Sequence, residues 1–228
     1  PSLTINSMKR IILLIFVLTL VFASCEKDNT EQTPQAPQES VLDYFPLQVG
    51  NYWVYERSGC DSTWTDCTVI STDTCIIVGD MIFGDFIYYN IVGVNPVGQP
   101  TSEFIRDSLD YIIDNYGNIY FSNSDFENKL NEEFVTNGDG DTIFHWYYQM
   151  QKELYNIEVP NGNFDCMDNK MSFYRKVDDF EKELNTHQLY SKNVGPVFKQ
   201  SMFAHSGSGF KQELVDYRII PNNSITTP

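Results

Sequence analysis

The sequence predicts a mainly β protein in which a single curved antiparallel sheet forms a partly closed barrel or a sandwich, with one or two short helices. Phe, Tyr and Trp make up 14% of the residues, and aromatic and β-branched residues favour strands. Runs of such residues alternate with Gly, Asn and Asp, which mark turns. The runs are short and closely spaced, and this spacing is typical of antiparallel sandwiches and barrels.

The predicted elements follow one another from residue 52 to residue 220 with turn residues between them. The strands are predicted over 52–57, 75–78, 85–92, 102–106, 109–115, 118–122, 142–150, 153–159, 173–177, 188–191, 196–203 and 210–220. A Ser- and Gly-rich hairpin loop over 205–209 joins the last two. Helix-favouring residues predict short helices over 124–134 and 177–184.

The N-terminal segment has the parts of a secretory signal peptide. Met8 is followed by Lys9 and Arg10, then by an apolar run over 11–22 and by small residues. As a helix this run would span about 18 Å, whereas a bilayer core is about 30 Å thick. We therefore predict a signal peptide over 1–24, with 1–7 as an upstream extension, and not a membrane-spanning helix.

Cys25 is the predicted lipidation site. Phe22-Ala23-Ser24-Cys25 resembles the lipobox of bacterial lipoproteins, although Phe22 stands where that motif usually has Leu. The resemblance implies a diacylglycerol thioether on Cys25, cleavage before it and acylation of the new amine. These modifications give the protein more than one acyl chain, and stable anchoring to a membrane requires more than one. The charged residues 26–29 resemble the export signals of Bacteroidetes-type surface lipoproteins, which predicts an outer-membrane, cell-surface location; the periplasmic face is the alternative.

The remaining chain divides into a tether, one domain and a tail. Residues 25–40 are polar and Pro-containing and are predicted to form the lipidated cysteine and a flexible spacer. Residues 41–221 suit a single β-rich domain, and 222–228 a disordered tail. The net charge of −16 opposes binding to nucleic acid, so nucleic acid is not an expected partner.

Three motifs in this domain resemble a group of secreted Bacteroidetes-type lipoproteins of unknown function. They are F-P-L-x-x-G-N-x-W-x-Y over 45–55, V-P-x-G-x-F-x-C over 159–166 and Y-x-x-x-V-G-x-V over 190–197. Residues 213–217 resemble the closing strand of that group. The resemblance implies a curved antiparallel sheet and no activity. From the residues themselves, Trp53, Phe164 and Val194 are predicted to be core and turn positions and not a site.

Four further cysteines, Cys60, Cys67, Cys75 and Cys166, are disulfide candidates. An even number in an exported protein favours two disulfides, for which three pairings exist. We favour Cys60–Cys67 as a hairpin closure, with Cys75–Cys166 joining distant strands. Zinc is the alternative, but the C-x₂₋₄-C spacing of zinc sites is absent from the sequence.

No catalytic or metal motif stands out, and no cofactor is expected. The Gly- and Asp-rich segment 137–141 does not fit a calcium loop, because Thr142 and Tyr148 replace the required Gly and Glu. His145, His187 and His205 are far apart in the sequence. Ser206 and Ser208 lack the glycine spacing of a nucleophile elbow. We therefore predict a protein that is not an enzyme.

Aromatic residues in the strands support a binding hypothesis. Strand alternation either turns some of these rings outward, where they suit stacking on sugars, or buries them in a large core. They are Tyr52, Trp53, Tyr55, Trp64, Tyr88, Tyr89, Trp146, Tyr147 and Tyr148. The leading hypothesis is a membrane-anchored envelope lipoprotein whose β domain binds or scaffolds, with a glycan or an envelope protein as partner. The alternatives are a carboxylate-based envelope hydrolase and a lipid-carrying half-barrel accessory protein.

Overall fold

A computed structural model describes residues 39–177 and 180–221. The described chain contains one short helix and 14 strands. They are α1 (Val41–Tyr44), β1 (Tyr52–Cys60), β2 (Cys67–Phe83), β3 (Phe86–Val94), β4 (Pro100–Ser108), β5 (Tyr111–Asp114), β6 (Ile119–Ser122), β7 (Leu130–Thr136), β8 (Thr142–Met150), β9 (Tyr155–Val159), β10 (Gly162–Val177), β11 (Phe180–Thr186), β12 (Gln188–Ser191), β13 (Gly195–Met202) and β14 (Gly209–Arg218).

The strands form one antiparallel sheet that is nearly closed as a barrel, which confirms the predicted fold class. The order along the sheet is β6, β5, β4, β3, β2, β1, β14, β13, β12, β10, β8, β7, while β9 and β11 also pair with β10. The first and last strands of the chain, β1 and β14, therefore lie side by side in the middle of the sheet. Strands β6 and β7 stand at its two ends.

The core lies on the inward face of the sheet and is rich in aromatic residues. Trp53 and Tyr55 alternate with less buried neighbours along β1 and are almost completely buried. Phe121 of β6 packs on Tyr190 of β12 with ring centroids 4.9 Å apart. Helix α1 adds Tyr44, whose ring stacks on Phe121. Because these rings come from both halves of the sheet, their burial holds the barrel together.

Two of the sequence motifs meet in this core. The indole Nε1 of Trp53 donates to the carbonyl oxygen of Val194 at 2.7 Å, and the Tyr55 hydroxyl donates to the carbonyl oxygen of Pro196 at 2.7 Å. Between them Gly195 has φ +101°, and a Cβ atom there would lie 3.0 Å from Trp53 Nε1. The predicted core and turn roles of Trp53 and Val194 are confirmed, and Phe164 packs against the same core.

The two predicted helices are wrong. Leu130–Thr136 is strand β7, paired with β8, and Phe180–Thr186 is strand β11, paired with β10. Glu and Lys residues gave these segments helical character, but pairing with a long neighbouring strand overrides such local preferences. The helix that does form, α1, begins with a capping box between Ser40 and Asp43. Its capping pattern was present in the sequence and was missed.

Several predictions fall outside the described residues. The signal peptide, Cys25, most of the tether and the tail over 222–228 are among them. In the part of the chain that the structure describes, no helix has the length and apolar character needed to cross a bilayer.

Candidate functional site

A cavity of about 290 Å³ lies where the two ends of the sheet, β6 and β7, approach each other. We call it the amide pocket, because carboxamide side chains make up half of its lining. Its walls consist of four carboxamides, three aromatic rings and one aliphatic side chain: Asn118, Asn131, Asn169, Gln188, Tyr120, Trp146, Tyr148 and Ile119.

Asn131 closes the barrel at this point. Its Oδ1 accepts from the backbone N–H of Ile119 at 2.9 Å, and its Nδ2 donates to the carbonyl oxygen of Ile119 at 2.6 Å. A single side chain thus reproduces the pair of hydrogen bonds that a neighbouring strand would make. The backbone of Asn131 has φ +50°, a left-handed conformation that Asn adopts more readily than most residues.

The other three carboxamides are each oriented by a hydrogen bond on one side. Asn169 Nδ2 donates to the carbonyl oxygen of Tyr120, and Asn118 Nδ2 donates to Asp114. Gln188 Oε1 accepts from the hydroxyl of Tyr190. The first two bonds fix which end of each asparagine carboxamide is oxygen, whereas the single proton of the Tyr190 hydroxyl is shared between Gln188 and the carbonyl oxygen of Tyr120. The carbonyl oxygens of Asn118 and Asn169 are left for other partners, as is the end of Gln188 that does not face Tyr190.

Asn169 is the most informative of the three. Its side chain is 2% exposed, and its Oδ1 has no hydrogen-bond partner among the described residues. Leaving a buried acceptor unpaired costs about 1–3 kcal/mol. Because Nδ2 is engaged by a carbonyl, a flip of the carboxamide would place two oxygens together. The oxygen therefore stays directed away from Tyr120, in a side chain that lines the cavity.

Aromatic rings form the rest of the walls. Trp146 and Tyr148 lie edge to face with centroids 5.8 Å apart. Burial raises the pKa of Tyr148, and burial together with the negative charge of Glu103 raises the pKa of Tyr120. Both phenols therefore stay neutral at physiological pH and above. None of the lining residues is charged, although the whole chain carries −16.

A second cavity, of about 320 Å³, surrounds His187. Its Nδ1 lies 2.7 Å from Asp168 Oδ2, and the ring of Tyr155 stacks on it at 6.0 Å. Asp168 is 4% exposed and Oδ1 has no partner among the described residues. An acid that orients an imidazole is half of a general-base arrangement. The lining includes neither Ser nor Cys, so these residues lack the serine hydroxyl or cysteine thiol that completes a catalytic triad.

The cysteines follow the sequence prediction only in part. Cys60 and Cys67 form a disulfide at the turn end of the β1–β2 hairpin. Cys60 is the last residue of β1, Cys67 is the first residue of β2, and the two are directly paired. Cys75 and Cys166 are free, buried thiols, so the favoured second disulfide is not formed. Cys75 lies on β2 and Cys166 on β10, and four strands separate them in the sheet order. Burial raises the pKa of the Cys166 thiol to about 12, so it is unreactive.

The remaining predicted positions are structural in the described part of the chain. Asn137 Oδ1 accepts from the backbone N–H groups of Asp139 and Asp141, which makes the segment a turn between β7 and β8. His145 Nε2 lies 2.8 Å from Glu132. Across residues 39–177 and 180–221, no group of three His, Cys, Asp or Glu side chains is placed to hold a metal ion.

Sequence reasoning found the aromatic walls of the amide pocket and missed its carboxamides. Trp146 and Tyr148 were among the predicted stacking residues, while Trp53, Tyr55 and Tyr88 fill the core. The only available signal for Asn169 was its carboxamide side chain in a polar stretch between two predicted strands. That signal does not distinguish a buried carboxamide from a solvent-facing one.

Comparisons with known proteins leave the family of this chain open. No family model matches it, and no curated protein matches it. One solved structure that matches is a putative lipoprotein from Parabacteroides distasonis ATCC 8503, at 16% identity and TM-score 0.40, covering 77% of this chain and 98% of that chain. Another is a putative exported protein with a YmcC-like fold from Bacteroides fragilis NCTC 9343, at 10% identity and TM-score 0.44, covering 77% and 99%. At these scores the likeness assigns neither a family nor an activity.

Proposed function

We propose that this protein is an envelope lipoprotein, tethered to the outer membrane through Cys25, whose β domain binds a neutral saccharide without catalysing a reaction on it. The observation that carries the proposal is the amide pocket. It combines uncharged, pre-oriented carboxamides with the rings of Trp146 and Tyr148, and the buried acceptor of Asn169 needs a donor.

The chemistry of the pocket matches a sugar in three respects. Sugar hydroxyls both donate and accept hydrogen bonds, as the carbonyl and NH₂ ends of carboxamides do. The apolar C–H face of a sugar ring packs on an aromatic ring, which provides a large flat contact. A neutral ligand has no charge that would have to be desolvated without a partner. Side chains held in place before binding also reduce the entropy lost on association.

Binding should depend on Trp146. We expect Trp146→Leu to weaken binding of the best neutral oligosaccharide about two- to tenfold, since a stacked aromatic contact contributes about 0.5–1.5 kcal/mol beyond its buried area. A panel of glucose, galactose and mannose oligosaccharides identifies the ligand, and titration calorimetry on the full chain in lipid nanodiscs measures the affinity. Trp64→Leu, in the β1–β2 turn, is the matched control and should bind normally. Equal affinity in wild type and Trp146→Leu would exclude this pocket.

The anchor and the thiols can be tested together by intact mass after alkylation. The native protein, extracted from membranes, should begin at Cys25 and carry acyl groups. Iodoacetamide should add two groups in denaturant, at Cys75 and Cys166, and four after reduction of the Cys60–Cys67 disulfide. The thioether on Cys25 blocks alkylation there. Three additions in denaturant and five after reduction would mean that Cys25 is a free thiol. That result, or a mass without lipid, would refute the anchor.

One observation favours a hydrolase as the second candidate. The His187–Asp168 pair could act on a water molecule in its cavity, with Asp168 orienting the imidazole. Nitrophenyl glycosides and esters provide the test. Turnover that is present in the wild type and lost in His187→Asn would replace the binding proposal with this one.

A further inference from the structure

The amide pocket shares two of its walls with an adjacent apolar cavity. Trp146 and Tyr148 line both. The second cavity, which we call the apolar pocket, measures about 220 Å³, and its other walls are Met171, Phe173, Met202 and Ala204. A ligand lying on the two shared rings can therefore reach both cavities.

The register of β8 and β10 explains this arrangement. Tyr148 is paired with Met171, and Trp146 with Phe173. Paired residues of an antiparallel ladder lie on the same face of the sheet. Met150 and Asn169 form the next pair along the ladder, and both are buried. The face of the sheet that belongs to the core at Met150 therefore lines the apolar pocket at Tyr148 and Trp146, which lie two and four residues earlier in β8.

The far wall of the apolar pocket is held in place by hydrogen bonding and packing. Arg175 Nη1 donates to the carbonyl oxygen of Ala204 at 3.2 Å, which ties the β13–β14 loop to β10. The ring of Phe173 packs on Phe144 at 5.4 Å. These contacts keep the pocket formed in the protein without a ligand.

The two pockets differ in chemistry. The amide pocket offers the carbonyl oxygens of Asn118 and Asn169 and the free end of Gln188, whereas the apolar pocket is lined by thioether, phenyl, methyl and aromatic groups with no charged side chain. We propose that the site takes an amphipathic sugar, with the saccharide in the amide pocket and an apolar aglycone or acyl chain in the apolar pocket. This inference rests on the proposed saccharide binding and names the ligand class more narrowly.

The test compares glycosides that differ only in their aglycone. Methyl, butyl and hexyl β-glucosides, galactosides and mannosides are titrated into the full chain in nanodiscs, below their micelle concentrations, with empty nanodiscs as the blank for partitioning. Each methylene that enters the pocket should tighten binding about fourfold, from about 0.8 kcal/mol per buried methylene. The gain should stop once the chain fills the pocket.

Variants on opposite walls locate the effect. Phe173→Ser and Met202→Ser should each remove most of the chain-length gain while leaving methyl glycoside binding within about twofold. Two variants are used so that the test still holds if one of them fails to fold. Ile82→Ser is the matched control, because Ile82 is 72% exposed at the tip of the β2–β3 hairpin, and it should retain the full gain.

The outcomes separate this inference from the function on which it rests. If no glycoside or oligosaccharide binds, the saccharide proposal itself fails. If methyl and hexyl glycosides bind equally, the saccharide proposal stands and the amphipathic ligand is refuted. A chain-length gain that survives in both pocket variants, or that is lost in Ile82→Ser, would also refute it. So would sedimentation showing that Phe173→Ser turns a dimer into a monomer, since a second copy would then cover the pocket.

Discussion

Replacing Trp53 by alanine is expected to lower the free energy of unfolding by about 4 kcal/mol, the largest effect of any single change considered for this domain. The indole is 1% exposed and sits in the centre of the sheet on β1. Its removal leaves a cavity and also leaves the carbonyl oxygen of Val194 without its donor. Urea unfolding followed by far-UV circular dichroism measures the loss. Trp64→Ala, in the partly exposed β1–β2 turn, should lose less than about 1 kcal/mol. Similar losses in the two variants would contradict the central role of Trp53.

Gly195 provides an independent check of the same contact. A Cβ atom at this residue would lie 3.0 Å from Trp53 Nε1, and the φ of +101° is strained for any other residue. Gly195→Ala should therefore cost about 2 kcal/mol. In the Trp53→Ala background only the backbone strain remains. The double variant should consequently be about 1 kcal/mol more stable than the sum of the two losses predicts.

These contacts explain what the three motif segments do in this chain. The F-P-L-x-x-G-N-x-W-x-Y segment and the Y-x-x-x-V-G-x-V segment are far apart in the chain, yet Trp53 and Tyr55 of the first bond to the backbone of the second. Asn161, from the V-P-x-G-x-F-x-C segment, donates its backbone N–H to the carbonyl oxygen of Leu214. The motif residues that make these contacts fix the fold. In this chain the motifs therefore account for the architecture and say little about the ligand.

The sequence was sufficient for most of the strands outside β7, β10 and β11 because alternation and turn residues are local signals. The strands at 142–150 and 188–191 were predicted with the bounds that the structure has. Strand β10 was predicted only over 173–177, although it runs from Gly162 to Val177. Its polar stretch around Asp168 and Asn169 resembles a loop in the sequence. In the structure both residues are buried within β10, where Asp168 pairs with Leu189 of β12 and Asn169 with Met150 of β8.

The carboxamides of the site could not be predicted from the sequence for a related reason. Asn118, Asn131, Asn169 and Gln188 come from four separate places in the chain, and only closure of the barrel brings them together. Each is a common surface or turn residue when considered alone. What distinguishes them is the partner that orients each one, and those partners are set by strand register. The favoured Cys75–Cys166 disulfide was wrong for the same reason, because strand order places four strands between the two cysteines.

The seam between β6 and β7 gives the second large effect. Asn131→Ala should lower the free energy of unfolding by about 3 kcal/mol, because the N–H and the carbonyl of Ile119 both lose their partner and alanine is strained at φ +50°. Asn131→Gly removes the side chain without that backbone strain and should lose about 1 kcal/mol less. Equal losses in the two variants would show that the backbone at this position relaxes. Urea unfolding of the full chain provides the measurement.

Asn131→Asp tests the direction of each hydrogen bond at the seam. One carboxylate oxygen still accepts from the Ile119 N–H, but the other faces the Ile119 carbonyl oxygen, which raises the pKa of the new carboxyl above its ordinary value of about 3.9. The protonated acid can donate to that carbonyl, so its stabilising contribution is fully present below the unfolded pKa and is lost as pH rises through the folded pKa. Relative to wild type at the same pH, Asn131→Asp should be clearly less stable at pH 7 and nearly as stable at pH 4. The loss in Asn131→Ala should not change over that range. A pH-independent loss in Asn131→Asp would mean that the side chain does not bridge the two ends of the sheet, and that the amide pocket is held together by the aromatic rings alone.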